Sequence, residues 1–295
     1  MHKRAVKQQA YVQKVPLIVV GGLRMGGSGK TPVTIALAKH FQKKGLRVAI
    51  MAYAIHKKPV GSIWRQLSPG NPETSPLYSE EAQLIQNKSG ADVYVTRDRY
   101  ALWEHISSQR GEKPYDLLLS DDGLQDPRLA PSYQILLKHP SENPKTRNLF
   151  PRGPFRFTAH KCKHVSLVLH GPYKEPHHTS PKLPQFYRDL TLPPPDTSTH
   201  WTLACALGNP QRLLDQLHQH GFAIQRKLLY PDHAFLPEKY LLKQLENGVI
   251  TALLITEKDA VKAPILASKP QCFTIKESIY FHPSPDTFLP PLSSI

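Results

Sequence analysis

Two short groups of residues have the types and spacing that chemistry on a phosphate requires. The first is Gly26-Gly27-Ser28-Gly29-Lys30-Thr31 and the second is Asp121-Asp122. Closely spaced glycines let successive backbone N–H groups curl around an anion, and a following helix adds the partial positive charge of its N-terminus. A lysine at this spacing reaches the β- and γ-phosphates, and the threonine hydroxyl sits on Mg²⁺. Two aspartates at the end of an apolar strand supply the acidic half of such a site, holding Mg²⁺ directly or through water. The strict GxxxxGK[ST] spacing is not met, because its first glycine would fall on Arg24.

The elements that must position these groups are legible around them. Leu17-Ile18-Val19-Val20 reads as a buried parallel strand: short, branched, and closed by glycine. The pattern after Lys30 is helical, with Val33, Leu37 and Phe41 on one face, Pro32 in the first turn and Gly45 just past the end. Residues 47–51 are a second strand, which completes a right-handed βαβ unit. Further strands are expected at 92–95, 115–121, 135–137, 165–169, 202–207 and 252–256. Helices are expected from Ser79 through Ile85, around Leu102 and Ile106, at 210–219 and at 237–246. The fold class is therefore α/β, a P-loop-type α/β/α core with a mostly parallel sheet plus a smaller C-terminal α/β unit. The domain boundaries expected are 1–170 for the core, 171–200 for a proline-rich linker, and 201–295 for the smaller domain. The long loop at 52–78 is expected over the active-site edge.

Composition narrows the partners. The 295 residues carry a formal net charge of +15 and 29 prolines. Such a charge points to an anionic partner: nucleotide, nucleic acid or an anionic membrane surface. Aromatics interleaved with basic residues, as single-strand binding requires, are absent, and no nucleic-acid motif is found; nucleic acid is therefore not expected as a partner. Cys162, Cys205 and Cys272 are too far apart for a zinc knuckle or a disulfide framework. No apolar run approaches the roughly 20 residues needed to span a bilayer. The basic stretch 1–14 could lie on anionic lipid or be solvated. Arg152 and Arg156, in the stiff segment LFPRGPFR, could clamp a phosphate or be solvated. His177 and His178 read as surface residues.

The succession GGSGKTP, RDR, SDDGLQ, LFPRGPFR, ALGNPQR, YPDHAF, TEKDAVK resembles the tetraacyldisaccharide 4′-kinases, over residues 10 to 280. The resemblance implies a P-loop core joined through a short β linker to a smaller α/β domain. It implies transfer of the γ-phosphate of ATP to the 4′-hydroxyl of a tetraacylated glucosamine disaccharide 1-phosphate, at the cytoplasmic face of the bacterial inner membrane. Gly26 to Thr31 would hold the triphosphate, with Lys30 catalytic, and Thr31, Asp121 and Asp122 would surround Mg²⁺. The Asp–His dyad of the family falls on Glu80, in SEEA, and on His233. Several positions depart from the family. Its asparagine after the first loop glycine is Gly22, its SRGYG segment is Ala52-Tyr53-Ala54-Ile55-His56, its DDGLQH ends in Asp126, and the hydrophobic N-terminal segment is replaced by the basic stub. These departures set out the alternative: a degenerate relative that holds nucleotide with little or no transfer.

Overall fold

A computed structural model describes residues 14–24, 28–53, 64–67, 80–109, 114–140, 148–149, 152–153, 155–156, 164–173, 183–196 and 198–291. Gly26, Gly27, Ser79, Cys162, His177, His178, the stub 1–13 and most of the loop 52–78 lie outside them. The first half runs β1 (Leu17–Gly22), α1 (Lys30–Lys43), β2 (Val48–Tyr53), β3 (Trp64–Leu67), α2 (Glu80–Ser89), β4 (Asp92–Thr96), α3 (Arg99–Ser108), β5 (Leu117–Asp121), β6 (Tyr133–Lys138) and β7 (Leu167–Tyr173). The second runs β8 (Gln185–Thr191), β9 (Trp201–Ala206), α4 (Pro210–Gln219), β10 (Ile224–Tyr230), α5 (Glu238–Glu246), β11 (Ala252–Thr256), α6 (Glu257–Lys262), α7 (Pro264–Ala267), β12 (Cys272–His282) and α8 (Pro285–Phe288).

The strands join in the order β10-β9-β11-β12-β8-β7-β6-β1-β5-β2-β4-β3. Pairing is parallel except between β12 and β8 and between β3 and β4. β1 shows why the centre is stable. Its side chains alternate between two buried faces: Ile18 and Val20 pack with Val33, Leu37 and Phe41 of α1, while Leu17 and Val19 pack with Leu102 and Ile106 of α3. A strand covered on both faces needs a continuous apolar run, and LIVV supplies it. The C-terminal half repeats the arrangement. Leu253 and Ile255 face Leu241 and Leu266, and Leu203 and Cys205 face Leu213, Leu214 and Leu217.

The stretch 171–200 contains sheet strands among its described residues. β7 ends at Tyr173, and β8 spans Gln185–Thr191 within one sheet that runs through both halves. β12 was not expected either; it pairs with β8 over seven residues, from Lys276↔Thr191 to His282↔Gln185, and with β11 on its other side. Only Cys272 and Ile275 are buried along it, and the stretch Lys276-Glu277-Ser278 is polar, so it lacks the continuous apolar run of a strand covered on both faces.

Candidate active site

The carboxyl edge of β1 and β5 forms one end of the site. Parallel register pairs Val20 with Asp121, which sets the acidic strand end beside the strand that leads into the glycine loop. Gly29 caps α1 with φ 79°, a conformation that favours glycine, and a Cβ there would lie a tight 3.0 Å from the Phe186 ring. Lys30 Nζ donates to Ser28 Oγ at 3.2 Å and lies 4.0 Å from Asp122 Oδ2. Thr31 Oγ1 donates to Asp121 Oδ2 at 2.8 Å. Thr34, one turn on and not singled out by the sequence, donates to Asp121 Oδ1 at 3.2 Å. Burial pushes the Asp121 carboxyl up to about 6; the Thr31 bond works against this and the neighbouring Asp122 charge adds to it. An all-oxygen set of one hydroxyl and two carboxylates, carrying charge that burial disfavours, fits a hard divalent cation that keeps most of its ligands as water and phosphate.

Arg156 pairs with Asp122 Oδ2, which brings the LFPRGPFR segment to the site; Arg152 is exposed. Arg99, from RDR, is buried, donates to the Asp121 carbonyl at 2.7 Å and lies 5.2 Å from the Tyr53 ring centroid. Asp126, where the family has histidine, accepts from Arg128 Nη2 at 2.8 Å and Nε at 2.9 Å, and Arg128 also reaches Asp98. Its negative charge is thus neutralised locally.

The other end of the site joins the two halves of the chain. Glu80, the first residue of α2, meets His233 across 153 positions, with Oε1 2.7 Å from His233 Nδ1. Lys258 Nζ lies 2.9 Å from the same Oε1, and Lys262 Nζ lies 3.0 Å from Oε2. Burial raises the Glu80 carboxyl, but the Lys258 and Lys262 ammoniums outweigh it and hold the group below its ordinary value. Lys262 also donates to the Ala234 carbonyl at 2.6 Å, so one ammonium holds both Glu80 and the loop that carries His233. His233 itself has φ 64°, and Asp122 at the opposite end has φ 55°. Both ends therefore place a candidate site residue on left-handed backbone, which His and Asp tolerate better than most residues.

The two lysines explain TEKDAVK. Thr256 caps α6 by accepting from the Asp259 N–H at 3.2 Å, and its hydroxyl donates to Asp259 Oδ2 at 2.6 Å. Asp259 is fully buried and also accepts from the Ala206 N–H at 3.3 Å, tying α6 to the end of β9. Lys258 and Lys262, four apart, then share the helix face turned to Glu80. The i, i+4 spacing was the available signal, but the partner sits in a different half of the sequence. A neighbouring pair seals the same junction: Lys88 of α2 lies 2.6 Å from Glu257 of α6.

A single cavity of about 2290 Å³ is lined by Lys30, Thr31, Asp121 and Asp122 at one end and by His233 and Lys258 at the other. Among the described residues no helix is long and apolar enough to cross a membrane.

Comparison with known proteins gives one consistent family. The description "Tetraacyldisaccharide-1-P 4′-kinase" matches residues 2–289. The chain is 31% identical over 276 residues to a tetraacyldisaccharide 4′-kinase of Pseudomonas fluorescens, covering 88% of this chain and 76% of the relative. It is 30% identical over 265 residues to that of Chromobacterium violaceum, covering 84% and 74%. Among solved structures, LpxK from Aquifex aeolicus in complex with ATP superimposes with a TM-score of 0.66 at 22% identity, over 92% of this chain and 86% of that one. That likeness agrees in fold with the α/β architecture described above, and the motifs that carry the resemblance lie along one cleft. The chain belongs to the tetraacyldisaccharide-1-P 4′-kinase family.

Proposed function

We propose that the chain transfers the γ-phosphate of ATP to the 4′-hydroxyl of a tetraacyldisaccharide 1-phosphate, a lipid A precursor, at the cytoplasmic face of the bacterial inner membrane. The observation that carries this reading is the shared cavity: the Lys30 and Asp121 end and the His233 and Lys258 end open into one space. In this reading the backbone from Gly26 to Thr31 cradles the triphosphate. Lys30 neutralises charge on the transferring phosphoryl group, held back from collapse onto Asp122 by its bond to Ser28. Thr31, Asp121 and Asp122 hold Mg²⁺, which supplies charge neutralisation at the phosphate oxygens when bound.

Glu80 accepts the Nδ1 proton of His233 and so leaves Nε2 as the basic nitrogen. Nε2 takes the proton of the 4′-hydroxyl as its oxygen bonds to the γ-phosphorus, and the bond from that phosphorus to the β,γ-bridging oxygen breaks to release ADP. Glu80 serves here in place of aspartate because both of its oxygens are fixed, one by Lys258 and the other by Lys262. The +15 charge supports attachment to an anionic membrane surface without a spanning helix.

The test is transfer of label from γ-labelled Mg-ATP to the tetraacylated disaccharide 1-phosphate in detergent micelles. Label in the lipid that depends on Lys30 and falls steeply in His233→Ala is expected. ATP binding without any labelled lipid would instead favour a degenerate nucleotide-binding relative.

A further inference from the structure

We propose that Lys88 is a positioning residue for phosphate transfer: by fixing the C-terminal end of α2 to α6 and β12, it sets where Glu80 stands and so aims His233. The proposal rests on the kinase reading above and adds a residue that acts through the Glu80–His233 pair. Glu80 is the first residue of α2, and Lys88 lies near its end on the same stripe, by way of Leu84. Ala82 and Ile85 seat the helix on the core of the first half. Its two ends reach α6, which belongs to the second half. At the N-terminal end Glu80 meets Lys258 and Lys262. At the other end Lys88 Nζ lies 2.6 Å from Glu257 Oε2 and also donates to the Glu277 carbonyl of β12. Glu257 Oε2 accepts the Glu277 N–H at 2.9 Å as well. Ammonium, carboxylate and strand backbone thus close a ring. The side chains of Lys88 and Glu257 are 20% and 18% exposed, so water and salt screen this pair less than one on the open surface.

The order of charges admits one register. α2 presents acid at its start and base near its end, and α6 presents Glu257 to the base and Lys258 and Lys262 to the acid. Sliding one helix along the other would bring Glu80 toward Glu257, or Lys88 toward the two lysines, and like charges would meet. Two attachments are needed for a geometric reason. Eight residues of helix span about 12 Å, so a helix held at one end alone moves its other end by about 1 Å for a tilt of about 5°. A misplacement of that size among reacting groups costs up to about a hundredfold in rate. Glu80 Oε1 lies 2.7 Å from His233 Nδ1, so a shift of Glu80 turns the imidazole with it or breaks the bond. Lys258 and Lys262 fix the carboxylate, and Lys88 fixes the angle of the helix that carries it. Lys88 lines the cavity, but its ammonium is committed to a carboxylate and a carbonyl and is not placed as a phosphate ligand.

The test compares Lys88→Met, which keeps the stem and loses the charge, with Lys88→Arg, in the full chain with Mg-ATP and the tetraacylated disaccharide 1-phosphate in mixed micelles. Lys88→Met is expected to lower kcat about tenfold, with the KM of both substrates unchanged and Lys88→Arg recovering most of the loss. In a His233→Ala background the same change is expected to cost less than about twofold, because the residue acts through the histidine. A tenfold loss in that background as well would overturn the proposal. So would a raised KM with kcat unchanged, which would make Lys88 a binding residue. Glu257→Gln keeps an acceptor for the Glu277 N–H and is expected to reproduce the loss; full activity in it rejects the ring. Proton NMR of the histidine ring N–H gives an arm independent of turnover. A resonance that His233→Ala removes, present in the wild type and in Lys88→Arg and lost or broadened in Lys88→Met, supports the positioning role. Its absence from the wild type, or its persistence unchanged in Lys88→Met, rejects it. If the wild-type protein labels no lipid, the kinase reading fails while the NMR arm still decides this one.

Discussion

The two ends of the cleft are built in different ways. At the phosphate end the groups come from a loop, the helix after it and an adjacent strand, and the parallel register of β1 and β5 fixes their spacing. Backbone does most of the positioning, down to a glycine whose φ of 79° and 3.0 Å approach to Phe186 disfavour a side chain. At the acceptor end Glu80 and His233 are 153 positions apart, and their meeting depends on side chains, chiefly Lys258 and Lys262. Backbone geometry tolerates little change of residue type. A web of ion pairs can follow a carboxylate through one extra methylene, and Glu80 Oε1, held by Lys258, lies 2.7 Å from His233 Nδ1. The difference teaches how each half is held: parallel register sets the spacing at the phosphate end, and ion pairs from α6 set it at the other.

The sharpest way to break this comparison is Lys30→Ala, expected to lower phosphate transfer about a thousandfold, the upper range for removing one charge-stabilising donor. Single-turnover kinetics at saturating ATP would measure it, and unchanged turnover would remove the phosphate end from the mechanism. His233→Ala is expected to lower kcat by about a hundredfold, as for loss of a general base, with ATP affinity retained. Lys262→Met probes the web itself. It should slow transfer about tenfold, because it frees Glu80 Oε2 and the His233 loop together, a small misplacement of the reacting groups. Full activity in Lys262→Met would mean that register, not charge, holds the acceptor end as well.

The smallest effect is in pH. The Glu80 carboxyl lies below its ordinary value in the folded chain, so it contributes stability above the unfolded value of about 4.5 that is lost as pH falls through the folded value. The stability gap between wild type and Glu80→Gln should therefore be widest near neutrality and narrow below about pH 4.5. Denaturant unfolding of both proteins across that range would show it, and a gap that widened on acidification would contradict the assignment.

Much of this was readable in the chain. β1, α1, β5 and the aspartates announce themselves by apolar runs ending in glycine or acid, since a strand buried on both faces has little choice of residue. α4 was expected at 210–219 and spans Pro210–Gln219. The strands that escaped reading are half-exposed. β10 alternates between partly buried and exposed along IQRKLLY, and β8 follows a proline-rich stretch. Their polar residues resemble those of loops because only one face has to be apolar. Lys258 and Lys262 sat inside a recognised motif, yet their role depends on a carboxylate about 180 positions earlier, which no local pattern reveals.

The place of β12 in the sheet has a consequence for synthesis. It lies between β11 and β8, so β9, β10 and β11 join the rest of the sheet only through it, among the described strands. It is also translated after every other strand. A chain emerging from the ribosome can order β1 through β8 early, but β9, β10 and β11 cannot join that sheet until residues 272–282 are out. Glu80 then waits for His233 through most of translation, and nascent chains arrested before β12 should remain without transferase activity.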